Sequence, residues 1–165
     1  MYTLRLTRSL LARFRVSDDD GRYDAPPTTR LGDWYVMPLQ AGRRSLVLCT
    51  SSRSGLTIVM PRPELTDLPE QLGITLVPLL RALAVPEGAI VAELDEMATG
   101  RVGPTRDRSL LGTMRAQGAR TVAFIAEAGA RPVDVTALHR LLSQQCRRAT
   151  GRSTIGDLTA SLFRP

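Results

Sequence analysis

The sequence predicts an α+β fold, with a small antiparallel sheet of three to four strands covered on one face by four to five helices. Short apolar runs bounded by Gly and Pro fill most of residues 1–60, whereas leucines recur at helical spacing from residue 67 onwards. Strands that come first and helices that follow are typical of this class. The 165 residues contain no internal repeat and no long linker, so we expect a single domain over residues 1–165.

Four apolar runs are predicted as strands: residues 2–7, 31–39, 44–50 and 55–60. The two runs on either side of Gly42 form an antiparallel hairpin, because a short turn separates them. Pro61 ends the last run. Residues 98–104 either return to the sheet or remain a loop, and the pattern leaves both open.

Helical spacing predicts helices over residues 9–14, 67–83, 86–97, 107–128 and 133–149, with a last short helix ending near Phe163. Asp107 is expected to cap the helix that follows it. Ser153 or Thr154 is expected to cap the last one. In the helix over 86–97, Val91 is expected on the apolar side and Glu93 on the polar side.

The charge of the chain is large and segregated. The net charge is +6, all 22 basic residues are arginine, and both lysine and asparagine are absent. Because lysine and asparagine both have AT-rich codons, their joint absence fits a GC-rich genome better than selection for guanidinium chemistry. Residues 1–63 carry +5, residues 64–100 carry −6 and residues 101–165 carry +7. A basic face therefore has two explanations, either a nucleic acid or acidic protein partner, or internal pairing with the acidic segment.

Several function classes receive no support from the sequence. No apolar stretch approaches the roughly 18–20 residues of a membrane span, and the start resembles no signal peptide, so we expect a cytoplasmic protein without a membrane partner. The aspartates at 18–20 lie in a loop without calcium-binding spacing, and we expect no metal and no cofactor. Cys49 is expected to be a buried thiol, and Cys146, beside two arginines, is either idle or reactive. His139 is the single histidine and is expected to be partly exposed.

Asp33 and Trp34 open the second predicted strand, where adjacent side chains point to opposite faces. Trp34 either anchors the core or offers a stacking surface for a base. Asp33 either accepts main-chain hydrogen bonds, pairs with arginine or acts as a site carboxylate. Arg43 and Arg44 lie at the hairpin turn, where they either guard a sheet edge or contact phosphate.

The stretch over residues 106–116 combines a predicted helix start with arginines. Arg108 and Ser109 fall in the first helical turn, where free N–H groups and the helix dipole favour an anion. Arg108, Gly112 and Arg115 follow along one stripe, which suits phosphate binding. The alternative pairs Arg108 with Asp33 or with the acidic helix, and uses Gly112 for tight helix packing. We predict that Arg108 and Ser109 lie within about 12 Å of Asp33, a limit set by chain reach.

The motifs LGDWY at 31–35 and DRSLLGTMRA at 107–116, with the basic stretch at 42–61 between them, resemble an uncharacterised bacterial family. Its members carry Leu-Gly-Asp-Trp-Tyr and Arg-Ser-Val-Leu-Gly-Ser-Met-Asn-Asp, and begin with a short strand and a leucine-rich helix. The resemblance covers roughly residues 1–128 and implies no settled activity. Arg115 and Ala116 replace the family's Asn-Asp pair, so any chemistry carried by that pair is absent here.

Three functions follow from these candidates. The first is a non-enzymatic binding module that uses an arginine-rich face for nucleic acid or an acidic protein. The second is a small nuclease-like, toxin-type or phosphate-handling enzyme that uses Asp33, Arg44, Arg108, Ser109 and His139. The third is a component of a protein complex without nucleic acid. The candidate binding residues are Asp33, Trp34, Arg43, Arg44, Arg108, Ser109 and Arg115.

Overall fold

The computed structural model describes residues 1–15, 26–129, 131–146 and 153–164. Its strands are β1 (Tyr2–Leu6), β2 (Trp34–Ala41), β3 (Arg44–Ser51), β4 (Thr57–Pro61) and β5 (Gly100–Pro104). Its helices are α1 (Arg8–Phe14), α2 (Leu68–Ala82), α3 (Glu87–Met97), α4 (Arg108–Ala128), α5 (Val135–Ser143) and α6 (Ile155–Leu162). The chain is therefore α+β, as the sequence predicts.

The described strands form one mixed sheet of five strands in the order β4-β3-β2-β1-β5. β2, β3 and β4 are antiparallel neighbours, with Val36 opposite Cys49 and Cys49 opposite Ile58. β1 instead runs parallel to both β2 and β5. The prediction of three to four antiparallel strands was therefore wrong in strand number and in the direction of β1.

The position of β1 explains the error. All five of its residues are buried, including Thr3 and Arg5, because a strand between two parallel neighbours is covered on both faces. Apolar and polar residues alternate along β1, a pattern that is also typical of a strand with one face in water. The polar residues of β1 instead face the second layer of the protein.

Helices cover both faces of the sheet, and not one face as predicted. Residues of α1, α2, α3 and α6 share a core with Leu4, Trp34 and Cys49. On the opposite face, α4 and α5 pack through Met114 and Leu142 against residues of β2, β3 and β4. Both faces of the central strands carry apolar side chains, which accounts for the two layers.

Most helix bounds agree with the prediction, and α5 is the exception. The predicted helix over 133–149 ends already at Ser143, because Cys146 forms an antiparallel bridge with Thr154 and the chain turns back into α6. Residues 147–149, like the aspartates at 18–20, lie outside the described residues. Within the described chain, no helix is both long and apolar enough to cross a membrane.

Candidate functional site

Asp33 is a buried carboxylate that ties the start of β2 to β1. Its Oδ1 accepts a hydrogen bond from the main-chain N–H of Thr3, and its Oδ2 accepts one from Nε of Arg5, each at 2.9 Å. Asp33 and Arg5 are 8% and 6% exposed. A buried charge needs such partners, so the main role of Asp33 is to hold two strands together.

Tyr35 connects this ion pair to the start of α4. Burial raises the pKa of the Tyr35 phenol, while hydrogen bonds with the main chain of Asp107 and Arg106 and the charge of Arg5 act to lower it. The phenol therefore lies between Arg5 and the residues that precede Arg108. These contacts support the predicted proximity of Asp33 to Arg108 and Ser109, which stays a prediction.

Trp34 belongs to the core on the opposite face of the sheet from Asp33. Its side chain is fully buried, and it packs with Leu4 and Val36. The ring therefore offers no stacking surface to a nucleic-acid base. Of the two interpretations of Trp34, the structure confirms the core anchor.

Arg43 and Arg44 are exposed at the hairpin turn, at the far end of β2 from Asp33. β2 spans eight residues, so its ends are about 25 Å apart. No small ligand reaches both ends. Arg44 instead lines a pocket together with Ile125, which places the hairpin turn beside the C-terminal half of α4.

The first turn of α4 has the geometry that the sequence predicts. The side chain of Asp107 accepts a hydrogen bond from the main-chain N–H of Leu110 at 3.0 Å, which confirms the cap. Arg108, Ser109 and Arg115 are all exposed. Helical spacing puts Arg108 and Arg115 on one stripe that points away from the sheet.

Between these arginines, the outer surface of α4 carries small side chains. The exposed small residues of this surface include Gly112, Ala116, Ala119 and Ala123. At 100° per residue they form a strip along the middle of the exposed face, with Arg108 and Arg115 on one side and Arg120 on the other. We call this surface the α4 face. No neighbouring atom lies within 4 Å of a Cβ built on Gly112, so the predicted tight packing of a second helix on Gly112 is wrong.

Within the described chain, neither Asp33 nor the acidic helix α3 forms the ion pair with Arg108 that the alternative interpretation expects. Asp33 pairs with Arg5, not with Arg108. Glu93 of α3 is buried and binds main-chain groups, since its carboxylate accepts hydrogen bonds from the N–H groups of Arg30 at 2.7 Å and Leu31 at 2.9 Å. The positions expected for Glu93 and Val91 are therefore reversed, since Glu93 is buried and Val91 is 51% exposed.

The arginines of the α4 face remain without such partners. Among the residues that the structure describes, Arg108, Arg115 and Arg120 form no ion pair. Ion pairs within the described part of the chain therefore do not account for these arginines. Their charge is available to an anion from solution.

His139 is buried, at 5% exposed, so the expectation of partial exposure was wrong. Its Nε2 lies 2.9 Å from the N–H and 3.1 Å from the carbonyl oxygen of Val59 in the edge strand β4. Burial lowers the pKa of His139. The ring is therefore neutral near pH 7, and it covers main-chain groups at the edge of the sheet.

Cys49 is the buried thiol that the sequence predicts, and Cys146 is exposed. Burial raises the pKa of the Cys49 thiol to about 12, so this sulfur stays protonated. Across the described ranges, no three His, Cys, Asp or Glu side chains are grouped as metal ligands would be.

Sequence reasoning missed Arg5, Tyr35 and Glu93. Glu93 had a signal, because it stands at the spacing of Ile90 and Met97 and so shares their buried face. Arg5 had no comparable signal, since its role depends on the parallel pairing of β1 with β2. The contacts of Tyr35 depend on the position of the residues that precede α4, which the sequence around Tyr35 does not indicate.

The fold and the α4 face define a class of protein: an α+β protein with a mixed sheet between two helical layers and an exposed arginine surface on one outer helix. The family described as domain of unknown function (DUF6933) matches residues 3–159, which is nearly the whole chain. The chain belongs to this family. No curated protein matches the sequence.

Proposed function

We propose that this protein is a non-enzymatic binding module that holds the phosphate backbone of a nucleic acid on the α4 face. The observation that carries the proposal is the set of three exposed arginines, Arg108, Arg115 and Arg120, without ion pairs in the described chain. Such arginines bind phosphate well because the guanidinium offers several donors in one plane.

The shape of the α4 face also suits a chain of phosphates. Arg108 and Arg120 are twelve positions apart, which corresponds to about 18 Å along the helix. The strip of small residues between the arginines lets a backbone approach closely, and Gly112 has open space above it. Binding of this kind reads charge and spacing and does not depend on base sequence.

The nuclease-like alternative receives less support from the candidate catalytic groups. His139 is buried, and its Nε2 lies against the main chain of Val59. Asp33 is engaged by Thr3 and Arg5. A general acid or base has to reach its substrate, and both side chains are instead in contact with residues of the sheet.

The test is a fluorescence-anisotropy titration of a labelled 20-nucleotide single-stranded RNA and the corresponding duplex DNA, at several salt concentrations. We expect the logarithm of the binding constant to fall linearly with the logarithm of salt, with a slope of about −0.7 to −0.9 for each phosphate contact. R108A and R115A should each weaken binding and reduce the slope by about one contact. Intact oligonucleotide after incubation is expected for a binder and excludes the nuclease.

R13A is the matched control, because Arg13 is an exposed arginine of α1 without an ion pair in the described chain. It removes the same charge from a different surface. Equal losses in R13A and R115A would mean general attraction without a site and would overturn the proposal. Absence of salt-sensitive binding would also overturn it and would favour an acidic protein partner.

A further inference from the structure

A second site lies outside the α4 face, in a pocket of about 440 Å³ between α2, α5 and α6. This volume is in the range of small-molecule sites, roughly 300–1,000 Å³. One wall is apolar and comes from the C-terminal end of α2 and the residue after it, with Leu79, Ala82 and Leu83. The facing wall is polar and comes from α5.

The polar wall consists of side chains four positions apart. Thr136, Arg140 and Gln144 line the pocket, and this spacing puts them on one side of α5. All three are exposed, and within the described chain their side chains have no hydrogen-bond or ion-pair partner. A cation, an amide and a hydroxyl are therefore available beside an apolar surface.

The other polar groups of the pocket already have partners. The Ser143 hydroxyl donates to the carbonyl oxygen of His139 at 2.7 Å. The Asp157 carboxylate accepts hydrogen bonds from the N–H and hydroxyl of Thr154 at the start of α6. His139 borders the pocket as a neutral ring, because burial lowers its pKa. Among the described residues that line the pocket, Arg140 is thus the single cation.

We propose that this pocket binds a small organic carboxylate with an apolar body, with the carboxylate on Arg140 and the apolar body against α2. An arginine binds a carboxylate through two parallel hydrogen bonds, and the neighbouring Gln144 amide and Thr136 hydroxyl supply further donors. The apolar wall gains from each methylene group that leaves water. The site is independent of the α4 face.

The test uses the fluorescent probe 8-anilinonaphthalene-1-sulfonate, which combines an apolar body with an anionic group, on the full chain at pH 7. R140Q should weaken probe binding about threefold to tenfold, because it removes one charge-assisted contact. A82F should abolish binding by filling the pocket. The controls are R13Q on α1 and A92F on α3, both at exposed positions outside the pocket, and both should bind the probe like the original protein.

Competition identifies the chemical class of the ligand. Octanoate, octan-1-ol and octylamine have the same apolar length, and octanoate should displace the probe at the lowest concentration. Stronger displacement by octylamine would assign the site to Asp157 and would overturn the proposal. Unchanged binding in R140Q would overturn it as well.

A loss of binding in R44Q alone would also overturn the proposal, because it would place the probe in the neighbouring pocket beside Arg44. Near-ultraviolet circular dichroism of each variant confirms native packing, since the probe also binds partly unfolded protein. The R140Q variant should bind the oligonucleotide like the original protein, because the pocket and the α4 face are separate surfaces.

Discussion

Asp33 and Arg5 form a buried ion pair in which Oδ2 of the carboxylate lies 2.9 Å from Nε of the guanidinium. The two residues are 28 positions apart in the sequence, and their contact links β1 to the start of the parallel strand β2. The same carboxylate binds the main chain of Thr3, so it fixes the register of β1 against β2. Asp33, the acidic residue of the LGDWY motif, therefore has a structural role, because it holds β1 and the start of β2 together.

Replacement of Asp33 should be strongly destabilising. D33A removes the carboxylate that faces a buried guanidinium, and we expect a loss of about 3–5 kcal/mol in the free energy of unfolding by urea. D67A is the control, because Asp67 is exposed and makes no capping hydrogen bond. It should cost about 0.5 kcal/mol or less. Similar losses in the two variants would contradict the structural role of the ion pair.

Glu93 should be the second carboxylate on which stability depends. E93A leaves the N–H groups of Arg30 and Leu31 without their acceptor, so we expect a loss of about 2–4 kcal/mol in thermal or urea unfolding. E93Q keeps one acceptor oxygen and should lose less. E70A on the exposed side of α2 provides the comparison and should be nearly neutral. An E93A variant as stable as E70A would disprove this anchor.

His139 should make stability depend on pH. Burial lowers the pKa of His139 below its usual 6.5, so the unfolded chain takes up a proton at a pH where the folded protein does not. Its contribution is therefore complete above pH 6.5 and is lost as the pH falls, by up to about 1.4 kcal/mol per pH unit.

The variant H139F isolates this effect. It should be less stable than the original protein at pH 7.5 by about 1–3 kcal/mol, because the Val59 N–H loses its acceptor. The difference should shrink towards pH 5. Comparison of the two proteins cancels the titration of Glu93, whose pKa burial raises and whose effect has the opposite sign. A difference that stays constant with pH would rule out His139 as the titrating group.

Gly112 should accept a larger side chain without a packing cost. It lies inside α4, is exposed and has open space where a Cβ would stand, so G112A should raise the free energy of unfolding by about 0.5–1 kcal/mol. At Gly118, in the same helix, a Cβ would stand 3.4 Å from Leu39 and 3.5 Å from Met37. G118A should therefore gain less in the same thermal-unfolding measurement. A destabilised G112A protein would mean that this face is covered.

Local sequence patterns were sufficient to predict most of the individual helices and strands. The leucine spacing predicts α2, the Asp107 cap predicts the start of α4, and the apolar runs around Gly42 predict the β2–β3 hairpin. These signals work because capping, turn geometry and helical periodicity depend on residues a few positions apart. The length of α5 was overestimated, since the bridge between Cys146 and Thr154 involves a return of the chain.

The candidate site was predictable only in part. The stripe of Arg108, Gly112 and Arg115 follows from the helical period, and all three residues are exposed. Asp33 lies far from Arg43 and Arg44, because Asp33 precedes β2 and the two arginines follow the other end of this strand. Trp34 faces the core, as alternation along a strand allows but does not decide.

The sequence by itself determined the α+β class, most helices, the hairpin and the arginine stripe of α4, because each depends on short-range chemistry. Tertiary structure decided that β1 lies between β2 and β5, that helices cover both faces of the sheet and that Arg5 is the partner of Asp33. These features depend on contacts between distant segments, and the energy of such contacts comes from burial in a shared core. A pattern of neighbouring residues does not contain that information.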